Sequence, residues 1–178
     1  MPSVDLRPYQ QEAREAIERE WDGERRKQLL VLPTGTGKTV VFAMVAKDSV
    51  DAGGRVLVLA HRGELLDQAA DKIAKATGLG CSVEKASRTC MGEWFRIVVG
   101  SVQTMMRESR LERFPHDYFT HIVVDEAHHA LSDSYQTVLE WFPDARVLGV
   151  TATPDRGDRR DLGAYFDGIA YEYSLPRA

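Results

Sequence analysis

The sequence predicts an α/β protein in which a mainly parallel sheet carries helices on both faces. Apolar, β-branched runs that suit buried strands recur along the chain, and helical or loop segments separate them. Near-continuous runs of Val, Ile and Leu are typical of strands that are covered on both sides. The strand-like runs span residues 28–32, 55–60, 96–100, 121–124 and 146–150.

The helices are predicted from hydrophobic periodicity and from the segments between the strands. Residues 8–21 place Tyr9, Ala13, Ala16, Ile17 and Trp21 near one helical face, and a proline at position 8 suits a first turn. Residues 39–50 and 64–77 also suit helices, whereas the polar segment 155–161 indicates a loop. No repeat or long linker divides the chain, so a single domain over residues 1–178 is expected.

Composition narrows the class of protein. Of the 178 residues, 43% are hydrophobic and 28% are charged, which is typical of a globular domain with a core of its own. No apolar run approaches the roughly 18 residues of a membrane span, and no signal peptide is visible. Cys81 and Cys90 lack a metal-binding spacing, so reduced thiols in a cytoplasmic protein are expected. The net charge of −4 offers no global attraction for nucleic acid, although a local groove stays possible.

A phosphate-binding loop is predicted between the first strand and the helix that follows it. Two glycines allow a tight turn with inward-pointing N–H groups, which form an anion site with the helix N-terminus. Lys38 is expected to reach the β- and γ-phosphates of ATP, and the Thr39 hydroxyl to ligate Mg²⁺. The alternative is a glycine-rich turn with a chance lysine. The predicted nucleotide-binding string is Pro33, Thr34, Gly35, Thr36, Gly37, Lys38 and Thr39.

An acidic pair follows the apolar run 121–124. Asp125 is expected where that strand emerges at the carboxyl edge of the sheet, the edge at which open α/β sheets bind ligands. Its carboxylate can hold Mg²⁺ opposite Thr39, and Glu126 can accept a proton from the attacking water. The alternative is that both acids cap the following helix. Because Lys38 lies upstream, we predict a site that binds and hydrolyses a nucleoside triphosphate.

These strings occur in an order that resembles the first motor domain of superfamily-two helicases and translocases. Residues 125–128 spell DEAH, and the resemblance runs from Leu6 to Pro154. Within the superfamily the chain is most similar to restriction-enzyme translocation subunits and RadD-like repair helicases. The resemblance implies a RecA-like P-loop NTPase fold with three layers, a catalytic set of Lys38, Asp125, Glu126 and His128, and both ATP and Mg²⁺ at the site.

The resemblance also implies an adenine-recognition element at residues 6–10. Gln10 can offer a donor and an acceptor to the N6/N7 edge of adenine, and the Arg7 guanidinium can stack on the base. The alternative is an ordinary helix N-terminus with a polar face.

Two strings that follow predicted strands look like the first-domain nucleic-acid motifs of the family. Backbone N–H groups, hydroxyls and an arginine at helix N-termini would grip phosphates without reading bases. Arg62 and Thr104 are the leading candidates, and ordinary helix starts are the alternative, with Ser101 as an N-cap. The remaining candidates are His61, Ser101 and Gln103.

A third string resembles the coupling motif of the family. Its implied role is a hydroxyl link from Thr151 or Thr153 to His128, which would tie the nucleotide site to the nucleic-acid side. A Thr-rich strand end before a proline is the alternative. His128 and His129 could also ligand a metal, but the phosphate loop already explains why carboxylates gather here.

The sequence stops too soon after Pro154 for a second domain of about 100–150 residues. In the family, that second domain supplies arginines to the γ-phosphate. We therefore expect a half-motor that binds Mg·ATP, with DNA (favoured) or RNA as the partner of the complete enzyme and with little turnover alone. Two alternatives are a non-motor ATP-dependent switch or binding module, and an ATPase that acts on a different class of partner.

Overall fold

Seven parallel strands form the sheet of the described part of the chain. The structure, a computed structural model, describes residues 6–23, 25–33, 37–61, 66–84, 96–152 and 160–173. The strand order is β3-β4-β2-β5-β6-β1-β7, and every neighbouring pair runs parallel. The strands are β1 (Lys27–Val31), β2 (Val56–Ala60), β3 (Cys81–Glu84), β4 (Ile97–Ser101), β5 (His121–Asp125), β6 (Arg146–Thr151) and β7 (Gly168–Glu172).

Helices follow most of the strands, as the alternating pattern predicts. A 3-10 turn, Ala127–His129, directly follows β5. The α/β class is confirmed, and each predicted strand is present with its ends moved by a residue or so. The helices are α1 (Pro8–Asp22), α2 (Lys38–Asp51), α3 (Leu66–Thr77), α4 (Val102–Met105), α5 (Glu108–Leu111) and α6 (Asp133–Trp141).

The helices divide between the two faces of the sheet and make three layers. Along β1, Leu29 and Val31 belong to a core shared with α4, α5 and α6. Leu30 and Leu32 belong to a second core shared with α1, α2 and α3. This alternation explains why the strand has no polar side, since side chains of successive residues point to opposite faces and both faces are covered. The predicted three-layer RecA-like fold is confirmed.

Helix α1 buries the predicted face, with one difference. Ala13, Ala16, Ile17 and Trp21 are all buried. Tyr9 is only half-buried, and its ring stacks on Tyr173 at 4.3 Å between centroids. The periodicity cannot foresee this contact, because the stacking partner lies at the far end of the described chain.

The carboxyl ends of the strands bring the candidate residues to one edge of the sheet. Lys38 begins α2 shortly after β1, and His61 directly follows β2. Ser101, Asp125 and Thr151 are the last residues of β4, β5 and β6. Since all five strands point the same way, motifs that are far apart in sequence line a single edge. Of the predicted polar loop, residues 155–159 lie outside the described residues.

Gly149 in β6 sets how closely the turn after β5 can approach the sheet. A Cβ added there would lie 2.9 Å from the Ala127 Cβ and 2.7 Å from the Phe166 Cε1. We expect Gly149→Ala to lower the free energy of unfolding by about 1–3 kcal/mol, because both neighbours are buried and cannot yield. Urea unfolding checks this. Gly23→Ala, where the added Cβ meets only ordinary contacts at 3.5 Å, is the neutral control.

His121 makes stability depend on pH. Burial, helped by the positive charge of Arg146, lowers the pKa of His121 from 6.5 to about 4. The unfolded chain takes up this proton near pH 6.5 and the folded chain only near pH 4. The contribution of neutral His121 to the free energy of unfolding is therefore complete above pH 6.5 and is lost as the pH falls towards 4.

Urea unfolding at pH 7 and pH 5 tests that window. We expect the native protein to lose about 1–2 kcal/mol more than a His121→Gln variant between these two values, after allowance for solvent screening. His116→Gln is the matched control, because His116 is exposed and its Nδ1 bonds to the backbone carbonyl of Trp141. Equal pH dependence in all three proteins would contradict the prediction.

Candidate nucleotide site

Lys38 joins the two halves of the predicted site. Its Nζ lies 3.3 Å from the Asp125 Oδ1 and 3.1 Å from the Glu126 Oε1. The lysine begins α2, and the carboxylates end β5, so the fold brings together two strings that are 88 residues apart. The two carboxylates thus pair with the lysine that is predicted to hold phosphate.

Lys38 keeps its positive charge in this setting. Burial acts to lower the pKa of Lys38, but the carboxylates of Asp125 and Glu126 outweigh it and raise the pKa above its ordinary value. The lysine side chain keeps 26% of its surface exposed, which leaves it accessible to a ligand from solvent. The site therefore presents a permanent cation beside two oxygen-rich groups.

Glu126 adopts a backbone conformation that is rare for a residue with a side chain. Its φ of 55° and ψ of 58° are left-handed, and such strain at a non-glycine residue costs on the order of 1–3 kcal/mol. The turn is held on both sides. The backbone N–H of Glu126 donates to the Asp125 Oδ1 at 3.0 Å, and the carbonyl of Glu126 accepts from the His129 N–H at 3.0 Å. The strain turns the Glu126 carboxylate outwards from the strand end, where it is exposed.

The described part of the phosphate loop is tied to α1. Gly37 has a φ of +74°, and its carbonyl accepts from the Gln10 Nε2 at 3.4 Å. The Gln10 Oε1 accepts from the backbone N–H of Arg7 at 2.8 Å. An added Cβ on Gly37 would lie 2.8 Å from the Gln10 Nε2, so the glycine is needed for the close approach as well as for its conformation. Thr34, Gly35 and Thr36 lie outside the described residues.

In the predicted adenine element, Gln10 connects the start of α1 to the phosphate loop. Gln10 is buried, and its amide faces the backbone of Arg7 and Gly37. Arg7 is exposed at the N-terminus of α1, as a residue that stacks on a base would need to be. Pro33 and Thr39 flank the loop and are half-buried. A role for these four residues in nucleotide binding stays a prediction.

The donor set fits Mg²⁺. Thr39 supplies a hydroxyl in the first turn of α2, and Asp125 supplies a carboxylate, both of the oxygen type that Mg²⁺ prefers. The contact of Lys38 with Asp125 shows that these two elements meet. Among the residues that the structure describes, no group of three or more His, Cys, Asp or Glu side chains could hold a metal ion. Ligation through two protein oxygens is usual for Mg²⁺, whose remaining ligands are phosphate and water.

The predicted nucleic-acid residues differ sharply in accessibility. Ser101 and Thr104 are 3% and 5% exposed, and the Ser101 Oγ accepts from the Thr104 N–H at 3.2 Å as the N-cap of α4. Thr104, one of the two leading candidates, has an enclosed side chain, and its role in nucleic-acid binding stays a prediction. Gln103 is exposed and is the side chain of this string that a phosphate can reach. Arg62 lies outside the described residues.

The structure gives the predicted coupling residues other contacts. Thr151 is buried, and its carbonyl accepts from the Leu32 N–H at 3.0 Å beside the phosphate loop. His128 is exposed, with its Nδ1 3.7 Å from the Glu126 Oε2. A link between Thr151 and His128 stays a prediction, and Thr153 lies outside the described residues.

Three aromatic side chains at this edge have no role in the sequence-based prediction. The His129 ring stacks on the His61 ring, and the Tyr135 ring of α6 lies beside both of them. The signal that could have found them is the doubled histidine after the acidic pair together with a histidine at the end of β2. Only the fold shows that the two positions meet.

A family model matches most of the chain. The family is described as "Type III restriction enzyme, res subunit", and residues 3–156 match it. The chain belongs to this family. Membership covers the phosphate loop, the acidic pair and the strings that follow β2, β4 and β6.

Curated relatives extend the match over nearly the whole chain. The "Putative ATP-dependent helicase IRC3" of Saccharomyces cerevisiae is 32% identical over 184 residues, covering 96% of this chain and 26% of that protein. The "Type I restriction enzyme EcoAI endonuclease subunit" of Escherichia coli is 31% identical, covering 95% of this chain and 22% of that protein. The chain thus spans about a quarter of the length of these relatives.

A solved structure agrees on the fold. The helicase domain of Hef from Pyrococcus furiosus superposes with a TM-score of 0.71 at 24% identity, over 89% of this chain and 37% of that one. The resemblance to the first motor domain of superfamily-two helicases is confirmed by these matches together. In the described residues, no helix has both the length and the apolar character needed to cross a bilayer.

Proposed function

We propose that this chain is the ATP-binding half of an ATP-dependent nucleic-acid helicase or translocase. The observation that carries the proposal is Lys38 at the start of α2, paired with Asp125 at the end of β5 and with Glu126 in the turn that follows. A cation at a helix N-terminus binds phosphate, and an adjacent carboxylate can accept a proton. Membership of the family does not favour the alternative of a non-motor module.

The residues divide the work of hydrolysis among them. Lys38 leaves its carboxylate partners to hold the β- and γ-phosphates, and Thr39 and Asp125 would hold Mg²⁺. Bound there, the ion neutralises phosphate charge as the terminal bond breaks. Glu126, released from Lys38, orients a water molecule and takes its proton as the oxygen attacks the γ-phosphorus. The ADP oxygen is the leaving group, so ADP and phosphate result.

A second motor domain is part of the proposal. Transfer of the γ-phosphoryl group gains about 10³–10⁵ in rate from an arginine that reaches the phosphate from across a cleft. The carboxyl edge of the sheet, where Lys38 and Glu126 keep exposed surface, is the side on which such a domain would close. We also propose that residues 1–178 form a single domain, because no repeat or long linker divides the sequence.

The proposed polymer is DNA, held through its backbone. Both the family and one relative carry names of restriction enzymes, a class of protein that acts on DNA. Gln103 is the exposed contact at the end of β4, with His61 and Arg62 at the end of β2. Phosphate contacts predict binding that weakens as salt rises, whereas a partner of another class would leave a slope near zero.

The test measures binding and turnover separately on the 178-residue chain. We expect Mg·ATP to bind, while steady-state hydrolysis with or without DNA and RNA stays at the level of a Lys38→Ala blank. Failure of Mg·ATP to bind would refute the nucleotide site. Robust turnover that nucleic acid stimulates would refute the requirement for a second domain. DNA titrations at several salt concentrations, repeated with RNA, decide the polymer.

A cytoplasmic location is also proposed. Cys81 is a free thiol, and burial raises its pKa to about 11, so it is a weakly reactive structural residue. A free thiol of this kind is usual in a reducing compartment. Fractionation of cells that express the natural protein checks the assignment.

A further inference from the structure

A column of aromatic rings connects the end of β2 to the turn that carries Glu126. The rings of His61 and His129 lie 4.1 Å apart at an angle of 9°, which is face-to-face stacking. His129 also contacts His128 at 4.1 Å between centroids. The Tyr135 ring of α6 lies beside this pair, 6.3 Å from His61 and 6.1 Å from His129, and is nearly parallel to both.

The His61–His129 pair lies against a buried ring. Tyr135 is fully buried, and the His61 Nδ1 is enclosed without a hydrogen-bond partner among the described residues. The stack on His129 is a described contact through which a movement of His129 can reach His61.

The other end of the column is bonded to the catalytic turn. The His129 N–H donates to the carbonyl of Glu126 at 3.0 Å, and the His128 Nδ1 lies 3.7 Å from the Glu126 Oε2. The carbonyl of His129 accepts from the Ser132 N–H and Oγ, at 3.0 and 2.8 Å. Glu126 is in a strained conformation and is paired with Lys38, so a ligand that takes Lys38 removes one of the contacts that hold this turn.

We infer that His129 is a positioning residue that links the state of the nucleotide site to the end of β2 through its stack on His61. The inference rests on the proposed function, because it takes Mg·ATP as the ligand that separates Lys38 from Glu126. Its consequence is directional. Occupation of the site moves Glu126, Glu126 moves His129, and His129 moves the residue that precedes the proposed DNA contact Arg62.

The imidazole resonances of the chain report each step. The sequence holds five histidines, at positions 61, 116, 121, 128 and 129, so NMR of the ring protons resolves each position. We expect a non-hydrolysable Mg·ATP analogue to shift the resonances of His128, His129 and His61. His116 bonds to the Trp141 carbonyl, outside the column, and serves as the unmoved reference.

Two substitutions separate a link from a mere neighbour. In His129→Ala the analogue still binds and still shifts His128, but the shift at His61 is lost. In His129→Phe a planar ring refills the stack, and the shift at His61 returns. A purely structural role would not distinguish these variants in this way, provided that both bind the analogue with the affinity of the native chain by calorimetry.

The outcomes are distinct. A His61 shift that persists in His129→Ala, or that is missing in the native chain while His128 responds, would overturn the inference and leave the proposed function standing. Absence of analogue binding to the native chain would overturn both. Glu126→Gln without nucleotide provides an independent arm, since weakening its pairing with Lys38 is expected to shift His61 as well, and no response there would also count against the link.

Discussion

Lys38→Ala is expected to lower the affinity for Mg·ATP by about 10- to 150-fold, the range that corresponds to the loss of a charged hydrogen bond. The Nζ of Lys38 is the cation that faces the acidic pair, so its removal leaves two carboxylates to repel the phosphates. The free energy of unfolding is expected to fall by less than about 1 kcal/mol, because the ion pairs involved are partly exposed. Calorimetry with a nucleotide analogue and urea unfolding measure the two effects.

Lys47→Ala is the matched control for this change. Lys47 lies on the same helix, α2, and pairs with Asp51 at 3.0 Å on an exposed face. We expect native affinity for nucleotide in this variant. An equal loss of affinity in both variants would show that α2 as a whole, and not the position of Lys38, governs binding.

The sequence was sufficient to predict a residue's position wherever that position depends on local backbone geometry. The phosphate loop requires Gly37 in a left-handed conformation at a strand–helix junction, and a glycine before a lysine marks such a point without any knowledge of the fold. Asp125 was predictable for a similar reason, since an acid directly after a buried strand must emerge at an edge of the sheet. The meeting of the two strings then follows from parallel topology.

Prediction was weaker where a side chain's role depends on its neighbours in three dimensions. Ser101 and Thr104 carry hydroxyls in the right string, but only the packing of α4 shows that one hydroxyl caps the helix and that both side chains are enclosed. Gln10 is predicted to offer its amide to adenine, and only the structure shows that this amide contacts the backbone of Arg7 and Gly37. A motif specifies which residues gather, whereas packing decides which atoms stay free to bind.

The same limit applies to the stacked histidines. His61 and His129 are polar residues in two separate strings, and neither string predicts a contact with the other. They meet because β2 and β5 are neighbours in the sheet and end at the same level. Such pairs arise from strand order, which a single sequence does not state. They are therefore the places where a structure adds most to a motif-based assignment.

Glu126→Gln is expected to separate binding from hydrolysis. The amide keeps the size of the side chain but cannot accept a proton from water, so turnover is expected to fall by about 10²- to 10⁴-fold in a longer protein that includes the proposed second motor domain. Affinity for Mg·ATP is expected to be kept or to rise, because the substitution removes a negative charge that lies beside the lysine and competes with phosphate for it. Single-turnover hydrolysis and nucleotide titration measure the two quantities.

Glu112→Gln, an exposed neutralisation at the end of α5, controls for the change in net charge.

The pattern of effects is what identifies the role of Glu126. If the carboxylate only held the turn in place, its neutralisation would weaken binding and turnover together, because Lys38 and Asp125 depend on the same turn. If it accepts the proton of the attacking water, binding survives and only the chemical step is lost. Loss of both in equal measure would therefore assign Glu126 to structure and leave the general base to be found elsewhere.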